Sequence, residues 1–252
     1  MQKESTNLPP INQKKTIETI SRFIKDKIDE SKTEGLVMGL SGGLDSSAAA
    51  YISLKTVDKD KILGLIMPGQ TTTAEDVEDA VSVAEQLGIE NEIIPIEGLI
   101  EPFQQLCVHS GPKHRNKLAD ANIKARIRMM ILYYHANSLN RLVLGTGNRT
   151  ELLVGYFTKY GDGGVDILPL GNLYKTQVRE IAENLQVPEK IRSKVPTAGL
   201  WSGQTDEQEL GIEYPLLDKI LYLLADEKMN AHQVALKLEI PKEEVLMIEI
   251  MV

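Results

Sequence analysis

Residues 39–50 read GLSGGLDSSAAA: three glycines, one aspartate and three serines between the apolar run Leu36-Val37-Met38 and an alanine-rich stretch. Glycines let a backbone come close to a ligand and aim successive N–H groups at it. A helix starting near Ser46 adds its positive end, and Ser41, Ser46 and Ser47 add hydroxyl donors. Gly39, Leu40, Ser41, Gly42, Gly43, Leu44, Asp45 and Ser46 therefore read as an oxyanion cradle. It lacks the Gly-Lys-Ser/Thr ending of the common nucleotide-triphosphatase loop. Asp45 repels phosphate unless a cation lies between them, and Mg2+ favours carboxylate and phosphate oxygens. The plainer alternative is a tight strand-to-helix turn with Asp45 as the helix cap.

The flanking pattern sets the fold class. Apolar spacing at Ile17, Ile20, Phe23, Ile24 and Ile28 predicts a helix over 15–33, followed by a strand at 35–40. A helix is expected over 46–56, then a buried strand, KILGLIMP, at 61–68. Thr72 and Glu75 have the spacing of a capping box. Val77, Ala80, Val81, Ala84 and Leu87 mark the face of the helix that follows, with Gly88 placed to end it. A third strand is expected at 91–96, a helix at 97–108, a loop at 109–117 and a long helix at 120–138. RLVLGTG (141–147) is a fourth strand ending in a Gly-Thr-Gly turn. This alternation predicts a doubly wound α/β fold, a parallel Rossmann-like sheet with helices on both faces. Ligands of such sheets bind beyond the carboxyl ends of the strands, where both glycine turns fall. The stretches 156–174 and 197–211 are candidate active-site loops, with helices at about 174–186, 213–226 and 230–250.

The totals narrow the class. The 252 residues are 42% hydrophobic and 25% charged, a globular balance, and are expected to form a single domain after a loose lead-in over 1–14. No apolar run approaches the roughly 20 residues of a membrane span. The first residues lack the apolar core of a secretion signal. The net charge of −8 argues against a nucleic-acid partner. With Cys107 as the only cysteine, an internal disulfide and a thiolate metal cluster are excluded, and a cytoplasmic setting is expected.

Ser-Gly-Gly-x-Asp-Ser at 41–46 resembles the signature of the ATP pyrophosphatases, which split ATP between its α and β phosphates. Three later stretches are similar to the ammonia-dependent NAD synthetase family: NIKARIRMMILYYHAN (122–137), LVLGTGNRTELLVGYFTKYGDGGVDILPLGNLYKTQV (142–178) and KVPTAGLWSGQTDEQELG (194–211). The resemblance implies the conversion of deamido-NAD, ATP and ammonia to NAD, AMP and diphosphate through a nicotinate adenylate. It implies Mg2+ held by Asp45 and Glu151, and ATP contacts from the 39–46 loop, Thr146, Lys175 and Thr197. It implies deamido-NAD contacts from Arg126, Lys159 and Asp166, with Asp45, Lys175 and Asp166 as the catalytic set. Asp166 would orient ribose hydroxyls or position the ammonium nucleophile and take its proton. Tyr156, Phe157 and Tyr160 either stack on the nicotinate ring or pack inside. Arg128, two residues from Arg126 on the same helix, is expected in a salt bridge, Met67 either near adenine or in the core, and Cys107 as a small buried residue on a helix face. The resemblance also implies a homodimer, with helices 120–138 and 15–28 as interface candidates. Free ammonia is the expected donor unless a separate glutaminase subunit delivers it. A basic His-Lys pair that family members carry near the C-terminus has no counterpart in the last residues, EEVLMIEIMV.

Overall fold

The computed structural model describes residues 8–107, 117–199, 201 and 203–252. In chain order, α1 (Gln13–Ser31) leads into β1 (Gly35–Gly39), α2 (Leu44–Leu54), β2 (Ile62–Ile66), α3 (Ala74–Leu87) and β3 (Glu90–Ile93). Next come α4 (Glu97–Leu106), α5 (Lys117–Ser138) and β4 (Arg141–Leu144). The four strands are all parallel, in the order β3-β2-β1-β4. Chain order reverses beside β1, because β2 lies on one side of it and β4 on the other. In sheets of this kind such a reversal places the ligand crevice beyond the carboxyl ends of the two strands, here β1 and β4.

Strand alternation divides the core. Leu36 and Met38 of β1, with Ile62 and Ile66 of β2, face α1, α2 and α3. Val37, Leu63, Leu65 and Val143 face Ile100 of α4 and Ile127 of α5. Helices therefore cover both faces, as the alternating elements predict. Ala48, Ala49 and Ala50 of α2 are fully buried, which explains the alanine run: small side chains let α2 lie among its neighbours and the sheet.

The last third adds α6 (Arg149–Val154), α7 (Lys175–Asn184), α8 (Glu189–Arg192) and α9 (Asp206–Leu210), then α10 (Tyr214–Leu221), α11 (Ala231–Leu238) and α12 (Lys242–Met251). α10 continues as a π-helical turn over Tyr222–Asp226. A second core, with Leu217, Ile220, Leu221, Val234, Val245 and Ile248, joins α10, α11 and α12.

Three local expectations change, and a fourth lies largely outside the described residues. The cap of α3 is Thr73, whose hydroxyl accepts the Asp76 N–H at 3.1 Å. Thr72 instead accepts the Gly69 N–H and closes the preceding turn, so the Thr-Thr pair caps one residue later than its spacing suggests. The helix expected over 230–250 is two helices, broken at left-handed Glu239 (φ 57°) and at Pro241, which starts the second. Cys107 is the half-buried C-cap of α4 rather than a face residue. The loop expected at 109–117 lies outside the described residues except for Lys117, which begins α5.

The turn after β1 is held from outside. Gly42 has φ 73°, and a Cβ there would lie 2.3 Å from the Asp76 carbonyl oxygen. Lys194 clamps the two segments together. Its Nζ donates to the Gly42 carbonyl at 3.1 Å and to Asp76 at 2.8 Å, and lies 2.6 Å from Asp79 Oδ2. Lys190 takes the other Asp79 oxygen at 2.8 Å. Burial alone would raise the Asp79 carboxyl, but hydrogen bonds from Lys190 and Lys194 outweigh it and hold it below its usual range. Asp76 is lowered in the same way, with Lys194 and Thr73 overcoming burial.

Two stability predictions follow from the clamp. Gly42→Ala combines left-handed strain with overlap on Asp76 and should cost about 2–5 kcal/mol in urea unfolding; a loss below about 0.5 kcal/mol would contradict the geometry. Lys194→Met leaves a buried Asp79 oxygen unpaired and should cost about 1–3 kcal/mol at pH 7. Because both carboxyls are depressed in the folded state, this stabilisation is full above the unfolded Asp value of about 4 and is lost as pH falls through the folded values. The gap between Lys194→Met and the unmutated protein should therefore narrow as unfolding is measured at successively lower pH below about 4.

Candidate active site

The 39–46 turn is organised internally before it meets any ligand. Ser46 Oγ donates to the Gly43 carbonyl at 3.1 Å and lies 3.0 Å from Ser41 Oγ, and Ser47 Oγ donates to the same carbonyl at 2.8 Å. Gly43, not Asp45, is the N-cap of α2, and no side chain caps it. Asp45 sits in the first turn of the helix and points elsewhere. Its Oδ1 accepts Asn148 Nδ2 at 3.1 Å and its Oδ2 accepts Lys175 Nζ at 2.5 Å. The cap alternative for Asp45 thus gives way to a role across the crevice.

Asn148 is the cap that starts α6 directly beyond β4. Its side chain accepts the Glu151 N–H, and Glu151 Oε2 accepts the Asn148 N–H, a reciprocal capping box. The box leaves Glu151 Oε1 for Lys175 Nζ at 3.2 Å. One ammonium thus bridges the two carboxylates, with the Lys175 side chain 6% exposed. Burial opposes the charge on Lys175, but Asp45 and Glu151 raise its affinity for the proton and keep it charged. Burial pushes the Glu151 carboxyl up to about 7 against the pull of Lys175, and Asp45 adds to the rise.

This donor set suits Mg2+. The ion favours hard oxygens and is usually held by one or two carboxylates together with substrate phosphates. Asp45 and Glu151 already share one cationic atom, Lys175 Nζ, beside the glycine–serine turn. Among the described residues, no group of three or more His, Cys, Asp or Glu could hold a metal by itself. Any such ion here would complete its shell with ligand oxygens or water.

Behind Lys175 lies a hydroxyl-rich wall. Lys175 Nζ is 5.1 Å from the Tyr214 ring centre, and the Tyr214 hydroxyl donates to Asp206 at 3.1 Å. The Tyr156 hydroxyl donates to Glu209 at 2.5 Å and lies 3.1 Å from Asp206 Oδ1. Tyr156 is thereby committed to this wall, whereas Phe157 and Tyr160 remain exposed.

Arg126, Lys159 and Asp166 gather along α5. Arg126 Nε donates to the Lys159 carbonyl at 3.3 Å, and both side chains are exposed. Thr158 donates to Asn122 on α5 at 2.9 Å, and a Cβ on Gly161 would lie 2.8 Å from Ala125 Cβ. Only glycine permits that approach. Asp166 takes the Tyr133 hydroxyl at 2.9 Å and the Val143 N–H at 2.8 Å. Burial and the Asp166 carboxylate push the Tyr133 hydroxyl up to about 12, so it remains a donor.

The other expected residues are placed as follows. Thr146 stands in the turn after β4, and Thr197 accepts the Gly199 N–H at 3.0 Å. The Gly199 carbonyl is tied to the Thr71 hydroxyl at 2.6 Å, which brings the Thr197 segment to the turn after β2. Arg128 forms no salt bridge among the described residues; its Nε donates to the Met67 carbonyl at 3.0 Å. Met67 is buried in the core facing α5. Asn148, Lys194, Asp206 and Tyr214 join the site without having been singled out in the sequence. Asn148 carried a usable signal, because Asn-x-x-Glu is a helix-start pattern. Lys194 carried none, since its partners Gly42 and Asp76 lie 152 and 118 residues away.

The NAD synthase family model matches residues 16–252. The NH(3)-dependent NAD(+) synthetase of Thermococcus kodakarensis is 51% identical over 239 residues, covering 95% of this chain and 92% of that protein. Among solved structures, NMN synthetase from Francisella tularensis superposes with a TM-score of 0.79 at 38% identity, covering 90% of this chain and 93% of that one. NH3-dependent NAD synthetase from Campylobacter jejuni superposes with a TM-score of 0.73 at 27% identity, covering 94% and 96%. With the parallel sheet, the glycine turn and the carboxylate–lysine cluster in place, the chain belongs to the NAD synthase family.

Proposed function

We propose that this chain is an ammonia-dependent NAD synthetase whose reaction centre is the crevice between β1 and β4. The observation that carries this reading is the buried Asp45–Lys175–Glu151 cluster beside the 39–46 turn. A carboxylate is a poor electrophile, so the nicotinate group needs a leaving group before ammonia can attack it. Its carboxylate oxygen attacks the α-phosphorus of ATP, the bond to the β-phosphate oxygen breaks, and diphosphate leaves. Ammonia then forms a bond to the carbonyl carbon, loses a proton, and AMP departs with its phosphate oxygen.

The residues divide this work. The amides of the turn, with Ser41 and Ser46, hold the phosphates that leave. Lys175 supplies a point charge to them, and Thr146 and Thr197 each supply a hydroxyl. Asp45 and Glu151 would hold Mg2+, which offsets the charge of two anions brought together. Arg126 and Lys159 attract the acidic dinucleotide, and the fixed Asp166 carboxylate receives the ammonium nucleophile. Exposed Leu99 and Phe103 on α4, with Met130 and Tyr134 on α5, favour a homodimer through this side.

Incubation with ATP, MgCl2, ammonium chloride and deamido-NAD should give NAD with stoichiometric AMP and diphosphate. A parallel reaction with nicotinate mononucleotide tests the activity named for the Francisella structure; turnover of the mononucleotide alone would replace the dinucleotide assignment. Asp45→Ala should lower turnover by roughly 10²–10³-fold, and full activity would remove Asp45 from the metal site. Asp166→Asn should reduce turnover with ammonia far more than binding of deamido-NAD. Equal losses in both would leave Asp166 only a binding role.

A further inference from the structure

Asp218 lies on α10 and is completely buried, outside the residues assigned to the crevice. Its carboxylate joins two helix starts. Oδ1 accepts the Thr150 hydroxyl at 2.6 Å, at the beginning of α6. Oδ2 accepts the Thr176 N–H at 2.8 Å and the Thr176 hydroxyl at 2.7 Å, at the beginning of α7. The Thr150 hydroxyl in turn accepts the Lys175 N–H at 2.9 Å, which closes the connection. Thr150 immediately precedes Glu151, and Thr176 immediately follows Lys175.

These partners matter because the first N–H groups of a helix have no acceptor within it. At α7 the Tyr174 N–H goes to the Gln177 side chain, the Lys175 N–H to Thr150 and the Thr176 N–H to Asp218. Two of these three acceptors come from other elements. The position of Lys175 is thus set by contacts reaching from α6 and α10, not by α7 alone. A buried carboxylate needs hydrogen bonds to offset its lost hydration, and here hydroxyl and amide donors supply them at both oxygens.

We propose that Asp218 is the positioning residue of this active site: it fixes the start of α6 against the start of α7, and so sets Glu151 relative to Lys175. The inference rests on the NAD synthetase reading for its chemistry and on the hydrogen bonds for its geometry. Outer contacts of this kind around metal-binding carboxylates typically govern affinity or activity by about 10–100-fold.

Asp218→Asn keeps the side-chain shape but removes one of the two acceptor oxygens that join Thr150 and Thr176. It should lower kcat by about 10–100-fold while KM for deamido-NAD stays within about twofold. Affinity for Mg-ATP, read by titration calorimetry without dinucleotide, should fall about tenfold. Thr150→Val should reproduce part of both losses, and Thr150→Ser, which keeps the hydroxyl, should restore them. A lower melting temperature with unchanged kcat and unchanged Mg-ATP affinity in the folded Asp218→Asn protein would overturn the proposal. Should Asp218→Asn fail to fold, equal constants for Thr150→Val and Thr150→Ser would overturn it instead. If the unmutated protein makes no NAD, the synthetase reading fails alone, and the Mg-ATP titrations still decide the positioning role.

Discussion

The bridge from Lys175 to Asp45 and Glu151 is the contact around which the crevice is organised. Asp45 comes from the first turn of α2, Glu151 from the first turn of α6, and Lys175 from the start of α7, 130 residues after Asp45. Strand order makes the meeting possible, because β1 and β4 are neighbours although β2 and β3 lie between them in the chain. Burying two carboxylates and one ammonium gains little net stability, since desolvation offsets most of the Coulomb attraction. The trio is therefore held by its surroundings: the Asn148 capping box, the Thr150–Asp218 connection and the packed faces of α2 and α7. Its charges are placed for ligands that bring charges of their own.

A glycine–serine turn without its own lysine is coherent in this setting. The 39–46 turn offers backbone amides and hydroxyls, while cations approach from outside. Lys175 reaches its Asp45, and Lys194 reaches its Gly42 carbonyl. The two lysines differ in role. Lys194 is committed to Asp76 and Asp79 and fixes the backbone. Lys175 is bound to Asp45 and Glu151, for which a cation could compete, while a phosphate could compete with them for its ammonium.

Legibility in the sequence followed the range of the interactions. Strands and long helices declared themselves through local periodicity: Leu36, Val37 and Met38 alternate between two cores, and Ile20, Ile24 and Ile28 line one helical face. The break at Glu239–Pro241 was readable from its proline but hidden by the apolar residues on both sides. The cap of α3 was ambiguous because Thr72 and Thr73 are chemically alike, and only the Gly69 N–H separates their roles. The 39–46 turn was legible as a strand-to-helix turn from its glycines and serines. Its partners Glu151 and Lys175 came from family resemblance, since no spacing rule links residues so far apart. Lys194 and Asp218 left no local trace, because each acts through hydrogen bonds that exist only once distant helices have packed.

The distinctive FTKYGDGGVDILPL stretch joins the two halves of the site. Its first part lies on α5, where Thr158 meets Asn122 and Gly161 meets Ala125. Its later part runs along β4: the Asp166 N–H goes to the Val143 carbonyl, Ile167 bridges Leu144 in parallel, and the Gly145 N–H goes to the Ile167 carbonyl. The segment thus continues the sheet at the edge left open by β4. Glycines and an acidic residue are required here by geometry, because α5 and β4 are both close and the Asp166 carboxylate takes the place of a strand partner on the Val143 N–H. The same packing that covers the edge therefore sets Lys159 beside Arg126 and Asp166 beside Tyr133. Fold closure and the placement of Arg126, Lys159 and Asp166 thus rest on one set of contacts.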